Sequence, residues 1–72
     1  MAQRVYKVIE VIGTSTTSWE EAAKNAVELT GEHLRELRVA EVLAQDLVIS
    51  SAGKVEAYRT KLSVSFKYEG GH

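Results

Sequence analysis

Val5-Tyr6-Lys7-Val8-Ile9-Glu10-Val11-Ile12-Gly13-Thr14-Ser15, residues 5–15, is the stretch that decides the fold. Its pattern predicts a strand with apolar side chains on both faces, followed by a glycine turn and a helix start. Alternate side chains of a strand point to opposite faces. Tyr6, Val8 and Ile12 therefore share one face, and Val5, Ile9 and Val11 share the other. A chain of 72 residues can cover only one face of such a sheet. The second face calls for a partner, and the expectation is an oligomer.

Bulk properties point the same way. The length allows one domain, residues 1–72, and a chain this short buries only about 60% of the surface its unfolded form exposes. Small scaffolds add disulfides, metals or self-association. Cysteine is absent, which removes disulfides and thiolate metal sites. His33 and His72 are too far apart in sequence to read as a ligand pair. Self-association remains. Nine Lys and Arg against ten Asp and Glu, interspersed, give a net charge of −1. No basic stripe exists to follow a phosphate backbone, so no nucleic-acid partner is expected. No apolar run approaches the ~20 residues of a membrane span. Met1-Ala2-Gln3-Arg4 leads into the strand without a signal-peptide core, so the expected location is cytoplasmic, away from membranes.

The first strand is expected over Arg4–Ile12, with residues 13–17 as a loop. Ser18 followed by Glu21 has the spacing of a capping box, in which hydroxyl and carboxylate each satisfy a backbone N–H. Glu20 and Glu21 suit the positive end of the helix dipole, and Glu20 with Lys24 is a favourable i,i+4 pair. Trp19, Ala22, Ala23, Ala26, Val27, Thr30, Leu34 and Leu37 recur at helical steps as one apolar face. Gly31 costs about 1 kcal/mol relative to alanine, and marks close packing or a bend. Residues 38–50 read as a second strand, again apolar on both faces: Val39, Leu43, Leu47 and Ile49 against Ala40, Val42, Ala44 and Val48. Residues 51–54 form a turn into a third strand. Tyr58, Leu62, Val64, Phe66 and Tyr68 are its apolar side, and Arg59, Lys61, Ser63, Ser65 and Lys67 its polar side. Gly70-Gly71-His72 is a loose end. The fold class is α+β: a β-α-β-β unit with a three-stranded antiparallel sheet wrapped on one helix. The pattern leaves the strand order open.

V-Y-K-V-I-E-V-I-G-T-S at 5–15, the capped helix, L-R-V-A-E-V at 37–42 and Y-R-T-K-L-S-V-S-F-K-Y-E at 58–69 follow one another over nearly the whole chain. In that order and spacing they resemble the dodecins, small flavin-binding proteins. The resemblance implies twelve subunits in a hollow shell, and this would supply the missing partner. It also implies a ligand site with a tryptophan stacked on the flavin ring and a glutamine at the ring edge. The matching positions here hold Val39 and Arg59. Valine has no π-face, and an offset aromatic stack contributes about 0.5–1.5 kcal/mol beyond buried area. Arginine donates but cannot accept, although it can stack on a planar ligand or bind an anion. Conventional flavin binding is therefore expected to be weak or absent.

Other candidates are few. Trp19, the single tryptophan, starts the helix stripe and reads as packing or a subunit contact. His33 reads as a surface or interface residue. Gly13-Thr14-Ser15 lacks the lysine and spacing of a phosphate loop, and no catalytic constellation is visible, so no enzymatic activity is expected. Glu10, Glu41 and Asp46 lie in or near strands, as salt-bridge partners across subunits or as ligands of a hard cation such as calcium, which takes six to eight oxygens. Three functions follow. The first is a non-enzymatic shell that binds or stores a small planar or anionic ligand. The alternatives are a calcium- or other cation-binding assembly, and riboflavin or FMN sequestration aided by Arg59.

Overall fold

The computed structural model describes residues 5–67. Expectations resting on Arg4, Tyr68, Glu69 and Gly70-Gly71-His72 lie outside that range. Four elements follow in chain order: β1 (Tyr6–Ser15), α1 (Trp19–His33), β2 (Leu37–Ile49) and β3 (Val55–Lys67). The strands form one antiparallel sheet in the order β1-β3-β2, so β3 is central and both β1 and β2 are edges. The expected β-α-β-β architecture is present. The turn is closed by the Ser50 N–H to the Lys54 carbonyl at 2.8 Å, with Gly53 at φ 79°.

β1 runs three residues past its expected end, pairing Gly13 with Thr60 and Ser15 with Tyr58. Gly13 is therefore a strand residue and not a turn glycine. A Cβ there would overlap the Ala22 carbonyl oxygen and lie 2.8 Å from the Ala26 Cβ. Glycine is required because the helix backbone rests directly on the strand. Ser18 is the N-cap as expected, its hydroxyl accepting the Glu21 N–H at 3.0 Å. The reciprocal half of the capping box is rearranged. The Glu21 carboxylate accepts from the Ser15 hydroxyl, and the Ser15 Oγ accepts from the Thr17 and Ser18 N–H groups at 2.9 and 3.4 Å. Glu20 and Lys24 form no ion pair, and the Lys24 charge acts on Glu21 instead.

The helical stripe stops earlier than its periodicity suggests. Leu34 caps α1 by donating its N–H to the Thr30 carbonyl at 2.9 Å, and Leu37 already belongs to β2. Between them Glu36 takes φ 62°, and its carbonyl accepts the Lys67 N–H at 3.1 Å. Leu37 still reaches the core from its strand position. At Gly31 an added Cβ would meet only Leu37 Cδ1, at 3.5 Å, so neither close packing nor a bend demands glycine there.

β2 differs most from the simple alternation. Its register against β3 shifts between Leu37 and Val39 and again between Val42 and Ala44, leaving Arg38 and Leu43 as extra residues. Each bulge reverses which parity faces the helix. Val42 pairs with Leu62 and Leu47 with Tyr58, on the helix side, whereas Val39 pairs with Ser65 and Asp46 with Arg59, on the other. The two expected face sets of β2 are therefore each split by the bulge at Leu43.

The core is small. Ala22, Ala26, Leu62 and Val64 are buried, flanked by half-buried Ile9, Val11, Ala23, Val27 and Leu37. α1 covers β1 and β3 and leaves β2 almost entirely exposed. Tyr6, Val8, Ile12, Val39, Val42, Leu43, Leu47, Ile49 and Val55 all face solvent in the single chain. Its radius of gyration is 15.1 Å and its longest extent 57 Å. A compact domain of this length would have a radius of about 11 Å. The accessible surface of 5522 Å² exceeds the roughly 4,450 Å² expected for a folded monomer of this mass.

Candidate functional site

The sheet face turned away from α1 carries most of the candidate residues in successive rows. Across β1-β3-β2 these read Val8–Ser65–Val39, then Glu10–Ser63–Glu41, then Ile12–Lys61–Ala44, then Thr14–Arg59–Asp46. Alternation along β1 and β3, corrected by the bulge in β2, places them together. Val39 is 64% exposed, and with Tyr6, Arg38 and Ser65 it lines an open hollow of about 550 Å³. That volume is in the range of small-molecule sites. Arg59 is elsewhere. It lies six residues along β3 from the partner of Val39, about 20 Å at 3.3 Å per residue. One chain cannot bring Val39 and Arg59 to the same ligand, so a site using both must be built from more than one copy.

Arg59 is already occupied within its own chain. Its Nε and Nη2 each donate to a carboxylate oxygen of Asp46 at 2.7 Å, a two-pronged pair. The guanidinium holds the Asp46 carboxyl below its ordinary range, and the carboxylate in turn raises Arg59. The Asp46 backbone carbonyl accepts the Trp19 indole N–H at 3.1 Å. Trp19 also packs edge-on against Tyr58, with ring centroids 5.3 Å apart at 81°. Its own carbonyl accepts the hydroxyl of Thr60, which is fully buried. Trp19 thus pins the helix start to β2 and β3, and the packing reading of this residue holds. His33 is exposed in the last helical turn.

The three carboxylates do not converge. Glu10 pairs with Lys61 at 3.3 Å, and Asp46 pairs with Arg59. Both ion pairs are made inside one chain, where sequence reasoning expected partners across subunits. Glu41 makes no ion pair among the described residues and flanks Ser63 opposite Glu10. These rows therefore hold three carboxylates against two cations, and Glu41 is the carboxylate left without an ion pair among the described residues. Carboxylate and hydroxyl oxygens suit a hard cation, but no group of three or more acidic or histidine ligands gathers among the described residues. The donor chemistry fits calcium, and the donor number in one chain does not. A calcium site on this face would need further oxygens from other copies.

Sequence reasoning missed two polar residues of this region, Thr60 and Ser15, both buried. Thr60 shares the parity of Leu62 and Val64, so strict alternation places it inside. The pairing of Asp46 with Arg59 depends on the bulge at Leu43 and carries no sequence signal. Elsewhere, Glu36 and Arg38 form an exposed ion pair beside the hollow at Val39. No described helix is long and apolar enough to cross a membrane.

Comparison with known proteins agrees with this geometry. The family model for Dodecin matches residues 5–69. Calcium dodecin of Mycobacterium tuberculosis (strain ATCC 25618 / H37Rv) is 56% identical over 63 residues, covering 88% of this chain and 87% of that protein. The crystal structure of that species' calcium dodecin, described as a calcium-chelating immunodominant antigen with a novel calcium-binding site, superposes with a TM-score of 0.82. The two are 51% identical in that alignment, which spans 94% of this chain and 96% of the other. Dodecin from Streptomyces coelicolor superposes with a TM-score of 0.90 at 32% identity, over 99% of this chain and all of that one. The chain belongs to the dodecin family.

Proposed function

We propose that this protein is a non-enzymatic dodecin-type shell of about twelve copies that binds calcium in place of a stacked flavin. The observation that carries this reading is the charge pattern of the open sheet face. Arg59 is tied to Asp46 and Glu10 to Lys61, while Glu41 has no ion-pair partner among the described residues. In a symmetric assembly every copy repeats that negative charge, and copies of Glu41 close to an axis gather into a ring. Like charges brought close are unfavourable until a cation neutralises them. The similarity to calcium dodecin supports the same choice of ion. Flavin is disfavoured by chemistry, since Val39 offers no stacking plane and Arg59 is held by a carboxylate.

Calcium bound to the assembly and not to the unfolded chain stabilises the fold by mass action, about 2.7 kcal/mol at one hundred times Kd, and so raises the melting temperature. Differential scanning calorimetry of chelator-treated protein should show a rise with calcium and little with magnesium, which demands tighter octahedral geometry. Glu41→Gln should weaken that rise more than Asp46→Asn. No shift up to millimolar calcium would end the calcium reading. The protein should leave riboflavin and FMN fluorescent, and a Val39→Trp, Arg59→Gln variant should quench them.

A further inference from the structure

Trp19 and Asp46 are the single tryptophan and the single aspartate of the chain, and a hydrogen bond joins them. Tyr58, Arg59 and Thr60 are consecutive on β3, so their side chains alternate between the two faces of the sheet. On the helix side, Tyr58 packs edge-on against the Trp19 ring, and the Thr60 hydroxyl donates to the Trp19 carbonyl. On the open side, Arg59 grips the Asp46 carboxylate with two hydrogen bonds of 2.7 Å. The Trp19 indole N–H closes the loop by donating to the Asp46 carbonyl at 3.1 Å. Trp19 therefore ties β2 to β3 in the row where the ion pair is made.

That tie matters because β2 is loosely determined here. α1 leaves the strand almost entirely exposed, and its register shifts just upstream, between Val42 and Ala44. A slip of one residue would turn Asp46 to the helix side. The ion pair adds little to the register by itself, since the Arg59 and Asp46 side chains are 42% and 53% exposed and exposed pairs are weak. Its two-pronged geometry nonetheless demands close alignment. We infer that Trp19 is the positioning residue of this pair: by fixing the Asp46 carbonyl it keeps the carboxylate seated on Arg59, and withholds both charges from ligands of the open face. The inference goes beyond the calcium reading and does not depend on it. Of the other charged groups, Lys61 on β3 is taken by Glu10 of β1, Glu41 lies two rows away on β2, and Glu20 and Glu21 start α1 across the sheet. The Arg59 guanidinium is the group that lowers Asp46.

Isotopically labelled aspartate gives one carboxyl signal in NMR, that of Asp46, and its acid titration is the readout. In wild type it should titrate below the ordinary carboxylate range. Trp19→Phe keeps an aromatic ring against Tyr58 but has no N–H, and should raise the proton affinity of Asp46 about threefold or more. Thr60→Val removes the other hydrogen bond of Trp19 and leaves the indole donor, so it should titrate as wild type. A purely structural role would lower stability in both variants and leave the titration of Asp46 where it was. Trp19→Phe that is folded by circular dichroism and titrates as wild type would overturn the inference. If Trp19→Phe does not fold, Trp19 emission of the unaltered ring decides, because coupling between two groups is reciprocal. Emission should then shift with the same midpoint as the Asp46 signal, and that shift should be absent from Asp46→Asn. Emission that ignores the titration of Asp46, or that shifts equally in Asp46→Asn, would overturn it as well.

Discussion

Two regions of this chain obey different rules. Over β1 and β3, α1 supplies a lid, and every apolar residue on that side is buried or half-buried. Ala22, Ala26, Leu62 and Val64 are buried there, and Ala22 and Ala26 lie so close to Gly13 that it has no room for a methyl group. Over β2 and the face away from the helix, equally apolar residues stand in solvent. The difference is not one of composition. It teaches that hydrophobic pattern in this sequence is divided between a core made within the chain and a surface completed by other copies.

The comparison breaks most visibly at Gly13. Gly13→Ala should cost about 3 kcal/mol or more by forcing α1 off the strand, measured by thermal denaturation followed by circular dichroism. A loss below 1 kcal/mol would mean that the lid yields easily. The joint between the regions is Trp19. Trp19→Phe keeps the edge-on contact with Tyr58 and removes the hydrogen bond to the Asp46 carbonyl. The expected loss is about 1 kcal/mol by chemical denaturation, and an unchanged midpoint would show that the bond is dispensable.

Acidity sharpens the contrast further. The Ser15 hydroxyl, with smaller help from Thr17, lowers Glu21 beneath the lid's edge, and the Arg59 guanidinium lowers Asp46 on the open face. Both folded-state values lie below the unfolded ones. Their stabilisation is therefore complete above the ordinary carboxylate range and is lost as pH falls below it, through the lowered folded-state values. Melting temperature should be flat near neutrality and decline in acid. Asp46→Asn should flatten part of that decline, and a decline of unchanged slope would remove the ion pair from the account. The smallest expected effect is a gain. Gly31 is exposed, helical and unconstrained, so Gly31→Ala should add up to about 1 kcal/mol. A loss there would reveal a neighbouring copy packed against it.

What the sequence disclosed follows from the same division. Period-two patterns in β1 and β3 were readable because those strands are regular. The Ser18 cap and the residue 51–54 turn were readable because their chemistry is local. β1 was cut short because Gly13 looked like a turn glycine, while its purpose is contact with a helix nine residues later. The helical stripe runs on into Leu34 and Leu37 because both are apolar at helical spacing, although the helix has ended and Leu37 packs on the core from β2. Bulges at Arg38 and Leu43 leave no mark in composition, yet they decide which β2 residues face the candidate site. Val39, Arg59, Glu10, Glu41 and Asp46 all lie on one sheet face, but their separation along it emerges only from the pairing. A site shared between copies, as proposed for calcium, would not be closed by reading one chain.

The central claim is that the exposed half of this chain is covered by further copies of itself. Native mass spectrometry of the purified protein, sprayed from volatile buffer at micromolar concentration, tests it most directly. With a subunit of 8.0 kDa, the account predicts a single closed species near 96 kDa, about twelve copies. A folded 8.0 kDa monomer as the dominant ion series would contradict it.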